Sequence, residues 1–186
     1  MRFILAILLL LPAGLRAESL CGVTDNAALL DMLAGDWRGD TYLSAVNAVI
    51  DQTEIQPRAE AERVTIGTDG ILSVEAIAAA MGGEGLPMVL SPTPVYNVDQ
   101  VDDLLETTQA EVLADVLSDT PCGPEELPQF VATFGFDQAD TDGVRFEGQV
   151  VLIPYFDDRI LRLDQFDVNT GEMVLFVTVA SVLTRE

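Results

Sequence analysis

From Phe130 to Leu183 the chain alternates apolar and polar positions with a period of two, the spacing of a half-buried strand. Phe130, Ala132, Phe134 and Phe136 alternate with Val131, Thr133, Gly135 and Asp137, and Val144, Phe146, Val150 and Leu152 alternate with Arg145, Glu147 and Gln149. Ile160 to Val168 continues the pattern more weakly. Met173 to Leu183 is apolar on both faces apart from Thr178 and Ser181, as in a strand covered on both sides. The turn signals Thr141-Asp142-Gly143, Phe156-Asp157-Asp158 and Asn169-Thr170-Gly171 separate these runs. The block therefore predicts an antiparallel meander with three hairpin connections.

The upstream half is more mixed. Thr24 is placed to cap a short helix over Asp25 to Ala34, with Ala28, Leu29 and Met32 or Leu33 on one face and Gly35 as its stop. Thr41-Tyr42-Leu43 opens a strand, and Ser44 to Gln52 fits a buried strand or a helix face, with the neighbouring Thr41-Tyr42 favouring strand. Arg63 to Ile66 and Ile71 to Val74 flank Gly67-Thr68-Asp69-Gly70 and predict a hairpin. Glu75 to Met81 reads as a helical turn, Gly82 to Pro94 as a loop with an extended piece around Met88 to Leu90. Asp99 begins a longer helix from Gln100 to Leu117, whose Leu104, Leu105, Thr108, Val112 and Val116 form a stripe. Pro121-Cys122-Gly123-Pro124 ends it.

Residues 1–17 have the order of a secretory signal: Met1-Arg2, an apolar run from Phe3 to Leu11, and small residues before a cut after Ala17. Residues 18–186 then form a single β-rich domain, and the expected location is periplasmic or secreted. Removal of the signal takes Arg2 and Arg16 with it, so the formal charge of −22 becomes −24. A chain this acidic, without lysine or histidine, repels polyanions, which excludes nucleic acid as a partner. In an exported protein the two cysteines, Cys21 and Cys122, are expected to pair, the alternative being two reduced buried thiols.

The composition also narrows the chemistry. Without histidine or lysine there is no histidine-based triad, no Schiff base and no histidine zinc site. The carboxylate pairs Glu125-Glu126 and Asp157-Asp158 are adjacent in sequence and read as solvated surface acids. Asp137 to Gly143 is superficially like a calcium loop, but aligning Gly143 with the invariant glycine puts Gln138 and Gln149 where the essential carboxylates belong. No metal, cofactor or catalytic residue is expected, and the chain reads as non-enzymatic, the alternative being a hydrolase that works through a pair of carboxylates.

Gly35-Asp36-Trp37, just after the first helix, and Arg185, after the last strand, resemble the lipocalin and wider calycin group. In that group a G-x-W motif opens the first barrel strand, and an arginine packs across the tryptophan ring at the barrel floor. The resemblance implies an antiparallel β-barrel that binds small apolar molecules, with Gly35, Trp37 and Arg185 closing one end. The fold class expected is mainly β, an antiparallel barrel or strongly curved sheet with one short and one longer helix. The expected function is binding or carriage of a small hydrophobic ligand, with Phe134, Phe136, Phe146 and Phe176 either lining a cavity or filling a solid core. The alternative is an interaction or structural module of the cell envelope, without a small-molecule ligand.

Overall fold

The computed structural model describes residues 17–48, 52–55, 61–96, 116–138 and 143–186. The expected signal segment, apart from Ala17, and all but the last two residues of the helix expected over 100–117 lie outside the described residues.

The fold is mainly β, and all its strand pairings among the described residues are antiparallel. Helix α1 (Asn26–Leu33) leads into β1 (Gly35–Ala48), followed by β2 (Gln52–Ile55), β3 (Glu62–Ile66), β4 (Ile71–Val74), helix α2 (Glu75–Ala80) and β5 (Leu86–Leu90). The closing block is β6 (Phe130–Asp137), β7 (Arg145–Phe156), β8 (Arg159–Asn169) and β9 (Val174–Arg185). The order in the sheet is β2-β1-β3-β4-β5-β6-β7-β8-β9, and β9 also pairs with β1, closing eight strands into a barrel with β2 beside the far half of β1. The β1–β9 register runs from Trp37 opposite Arg185 to Ala48 opposite Leu175, with an irregularity between Thr41 and Leu43. Such a bulge adds local twist and helps a long strand follow a closed surface.

The three expected hairpins of the closing block are present as the β6–β7, β7–β8 and β8–β9 pairings, and the hairpin around Gly67 to Gly70 is β3–β4. Helix α1 is capped one residue later than expected. The Asp25 carboxylate, not Thr24, accepts from the amides of Ala27 and Ala28, at 3.1 and 3.2 Å. An aspartate directly before the helix reaches those unpaired amides and adds a charge suited to them.

The barrel carries two apolar layers. Inside, Trp37, Val64, Ile66, Leu72, Val74, Leu86, Phe130, Ala132, Val150, Leu152, Ile160 and Leu183 pack with Leu29 and Leu33 of α1, which plugs one end. Outside, Val151, Ile153, Tyr155, Leu161, Leu163 and Ala180 are covered by Tyr96, Leu127 and the Cys21–Cys122 region. The expected disulfide is formed, tying positions 101 residues apart. Buried Gln129 secures the covering segment: its Oε1 accepts from the amides of Val95 and Tyr96, and its Nε2 donates to the carbonyls of Tyr96 and Pro124. All four polar positions of that amide are used, so its burial carries little unpaired cost.

Strand length shapes the interior. The β6–β9 strands and β1 are long, whereas β3 and β4 are short, and the chain leaves the top of β4 directly into α2. Above the packed lower half, this short side is walled by a helix instead of a sheet.

Candidate functional site

At the plugged end the geometry follows from the G-x-W motif. Gly35 has φ +136°, a conformation side chains resist, where α1 turns into β1. Trp37 is fully buried, and its Nε1 donates to the Leu33 carbonyl at 2.9 Å. The Arg185 guanidinium lies 4.6 Å from the Trp37 ring centre. It also donates through Nη2 to the Met32 carbonyl and through Nη1 to the Ala34 carbonyl, the latter at 3.3 Å. One cation therefore stacks on the indole and satisfies the open carbonyls at the end of α1. Gly35, Trp37 and Arg185 meet at a single structural joint.

The cavity lies above the packed layer, on the short side of the barrel. Its volume is about 590 Å³, and its wall is formed by Phe134, Phe136, Phe146 and Phe166 facing Ala76, Ile77, Ala79 and Ala80 of α2. Phe136 and Phe146 are opposite each other in the β6–β7 register and stack with ring centres 5.1 Å apart; Phe134 and Phe166 sit 6.0 Å apart. Gly148 stands between Phe134 and Phe166 in the register and leaves room for both: a Cβ there would lie 2.4 Å from the Phe166 Cβ.

Three of the four phenylalanines singled out in the sequence thus share one cavity. Phe176 does not join them. It is opposite the exposed Asp167, is 49% exposed, and lies on the outer face, where it borders a groove with Thr133, Glu147 and Gln149. The parity of β9 puts Val177 and Val179 inward instead, and Val179 lines the cavity. Phe166 takes the fourth aromatic place. The period-two reading of β8 contained that residue, but its weak alternation did not single it out.

The polar part of the cavity was missed from sequence. Arg162 and Asp164 are each only 3% exposed and face inward from β8. Arg162 Nε donates to Asp164 Oδ1 at 2.8 Å, its Nη2 donates to Asp164 Oδ2, and its Nη1 donates to Glu62 Oε2 at 2.6 Å. The other oxygen of Glu62 accepts from the Ala76 amide of α2 at 3.3 Å, so Glu62 joins the buried ions to the helical wall. Burial works against the Arg162 charge, but Asp164 and Glu62 outweigh it and hold the guanidinium above its ordinary value. Burial pushes the Asp164 carboxyl upward; Arg162 opposes this, and the nearby Glu62 adds to it. Arg162 is the shared partner: its removal would leave two acids facing each other without a cation, whereas removal of either acid leaves a paired guanidinium.

The carboxylate pairs noted in sequence are elsewhere. Glu125 and Glu126 are exposed in a short 3-10 turn, and Asp157 accepts from the Glu18 amide at the barrel edge. Among the described residues, no group of histidine, cysteine or acidic side chains is arranged to hold a metal ion. No described helix is long and apolar enough to cross a membrane.

Fold and site together define a closed antiparallel β-barrel with a half-open, aromatic-walled pocket and a buried ionic floor. Comparison of the chain with family models, with curated proteins and with solved structures finds no match in any of the three.

Proposed function

We propose that this is an exported, lipocalin-like carrier that binds a small hydrophobic ligand inside its barrel without chemical transformation. The observation that supports this most directly is the cavity of about 590 Å³ walled by Phe134, Phe136, Phe146 and Phe166. Small-molecule sites of this size are concave and mostly apolar, with a few placed polar groups. The four rings and the Ala76, Ile77, Ala79 and Ala80 side of α2 line this volume together. The Trp37–Arg185 joint and the plugged lower end supply a rigid cup beneath the cavity. The disulfide fits an oxidising periplasmic or extracellular setting.

The test is native mass spectrometry of protein taken from its own compartment. A lipid-sized species that is retained under gentle conditions and released by denaturation is expected. Consistently ligand-free protein that also fails to take up apolar probes overturns the carrier reading. A stoichiometric protein partner recovered with such ligand-free material would favour a cell-envelope interaction module.

A further inference from the structure

The ionic floor restricts what kind of ligand the cavity accepts. It holds one cation, Arg162, and two acids, Asp164 and Glu62, and all three line the same cavity as the phenylalanines. An arginine facing an apolar cavity ordinarily invites an anionic head group, but this guanidinium is already engaged. Asp164 occupies its Nε and Nη2 edge in a bidentate pair, and Glu62 occupies Nη1. An entering carboxylate would have to displace a buried partner and would add a third acid to the site. With both acids ionised the floor carries one excess negative charge, and its carboxylate oxygens have lone pairs that Arg162 and the Ala76 amide do not use. Beside this floor, Ser181 is opposite Arg162 on β9, is 3% exposed, and its Oγ has no hydrogen-bond partner among the described residues.

Building on the carrier reading, we propose that the cavity selects a cationic amphiphile: an alkylamine-like molecule whose ammonium sits against Glu62 and Asp164 and whose tail lies among Phe134, Phe136, Phe146 and Phe166. An ammonium supplies donors without an acceptor, which matches a floor rich in acceptors. It neutralises the excess charge of the triad and places a cation near aromatic faces. The acidic protein as a whole raises the local concentration of cations and lowers that of anions. Glu62 contributes to both head-group recognition and the wall, through its bond to Ala76.

The experiment compares dodecylamine, dodecanol and dodecanoic acid as probes, by isothermal titration calorimetry on the mature protein at moderate salt and below micelle formation. The amine is expected to bind roughly tenfold or more tightly than the acid, with the alcohol between them. Glu62→Gln, which keeps an acceptor for Ala76 but removes one charge, is expected to narrow that preference while alcohol binding persists. Glu147→Gln removes an exposed charge on the outer face and is expected to leave it unchanged. If dodecanoic acid binds as tightly as dodecylamine, the carrier reading stands and this inference falls. Equal effects of the two substitutions would also overturn it, by assigning the preference to bulk charge. If none of the three probes binds folded protein, the carrier reading falls and takes the inference with it. The wild-type comparison decides the point even if Glu62→Gln does not fold, which circular dichroism would reveal.

Discussion

Trp37 and Arg185, 148 positions apart in the numbering, face each other across the β1–β9 seam with the guanidinium 4.6 Å from the indole centre. The same guanidinium bonds to the last carbonyls of α1, so barrel closure and the end plug share one side chain. A cation–aromatic contact at such a site contributes about 0.5–2 kcal/mol, and the carbonyl bonds add to it.

Arg185→Ala is therefore expected to lower stability by about 1–3 kcal/mol in urea unfolding. Arg185→Lys keeps the charge but not the planar fork that reaches both carbonyls and stacks on the ring, and is expected to recover only part of the loss. Equal stability of the wild type and the alanine variant would remove the joint from the account of barrel closure.

Gly148→Ala tests the close packing behind the aromatic wall. A Cβ at this position would lie 2.3 Å from the Gln165 carbonyl oxygen, a backbone atom that cannot swing aside. A loss of about 1–3 kcal/mol is expected, with disturbed aromatic signals from Phe134 and Phe166 in NMR spectra. Gly39→Ala is expected to cost less, because its nearest obstacle is the Leu183 Cδ2 at 2.8 Å, the movable end of a side chain.

Placement inside or outside the barrel separates two similar phenylalanines. Phe146→Ser is expected to weaken binding of an apolar probe about tenfold or more, since it removes a stacked ring from the cavity wall. Phe176→Ser, on the outer face, is expected to leave probe affinity within about twofold. A titration followed by probe fluorescence distinguishes them, and equal losses would place the binding site elsewhere.

The raised Asp164 carboxyl gives stability a definite pH slope. Its ordinary value is 3.8, and above that pH the unfolded chain loses the proton while the folded site still holds it. The folded state then binds more protons, so this group's contribution is fully present below about pH 4 and declines as pH rises through the folded value. Asp164→Asn does not titrate and is expected to flatten that part of the profile, although it lowers absolute stability by weakening the Arg162 pair. Urea midpoints measured from pH 4 upward for both proteins check the slope; a steeper decline in the variant would reverse the assignment.

The disulfide joins the start of the described chain to the segment covering the outer layer. For a loop of this length the chain-entropy model gives about 4–5 kcal/mol at most. Replacing both cysteines with serine is expected to lower the unfolding midpoint, and limited proteolysis is expected to cut first within the freed covering segment. Unchanged midpoints would show that the reduced chain keeps compensating order.

Much of the architecture is legible in local pattern. The β6–β9 meander follows from period-two alternation and turn residues, and the β3–β4 hairpin from Gly67 to Gly70. The G-x-W motif and Arg185 pointed to the joint that closes the barrel. The cavity was only partly legible: alternation grouped Phe134, Phe136 and Phe146, but parity in β9 separates Phe176 from them. Glu62 could not be linked to Arg162 by spacing, since they are 100 residues apart.

The strand Ile160-Leu161-Arg162-Leu163-Asp164 shows where sequence stops and tertiary structure begins. Alternation by itself determines that Leu161 and Leu163 share one face and Arg162 and Asp164 the other. Taken alone it would turn the leucines toward the core and the ions toward water. The folded protein does the reverse: Leu161 and Leu163 lie under the outer layer built from Tyr96 and Leu127, while Arg162 and Asp164 face the barrel interior with Glu62. A strand with a covered outer face has two buried sides, and its pattern cannot say which is the cavity. Only closure of β9 on β1, with the covering segment held by the disulfide and Gln129, decides that the ions form the floor of the cavity.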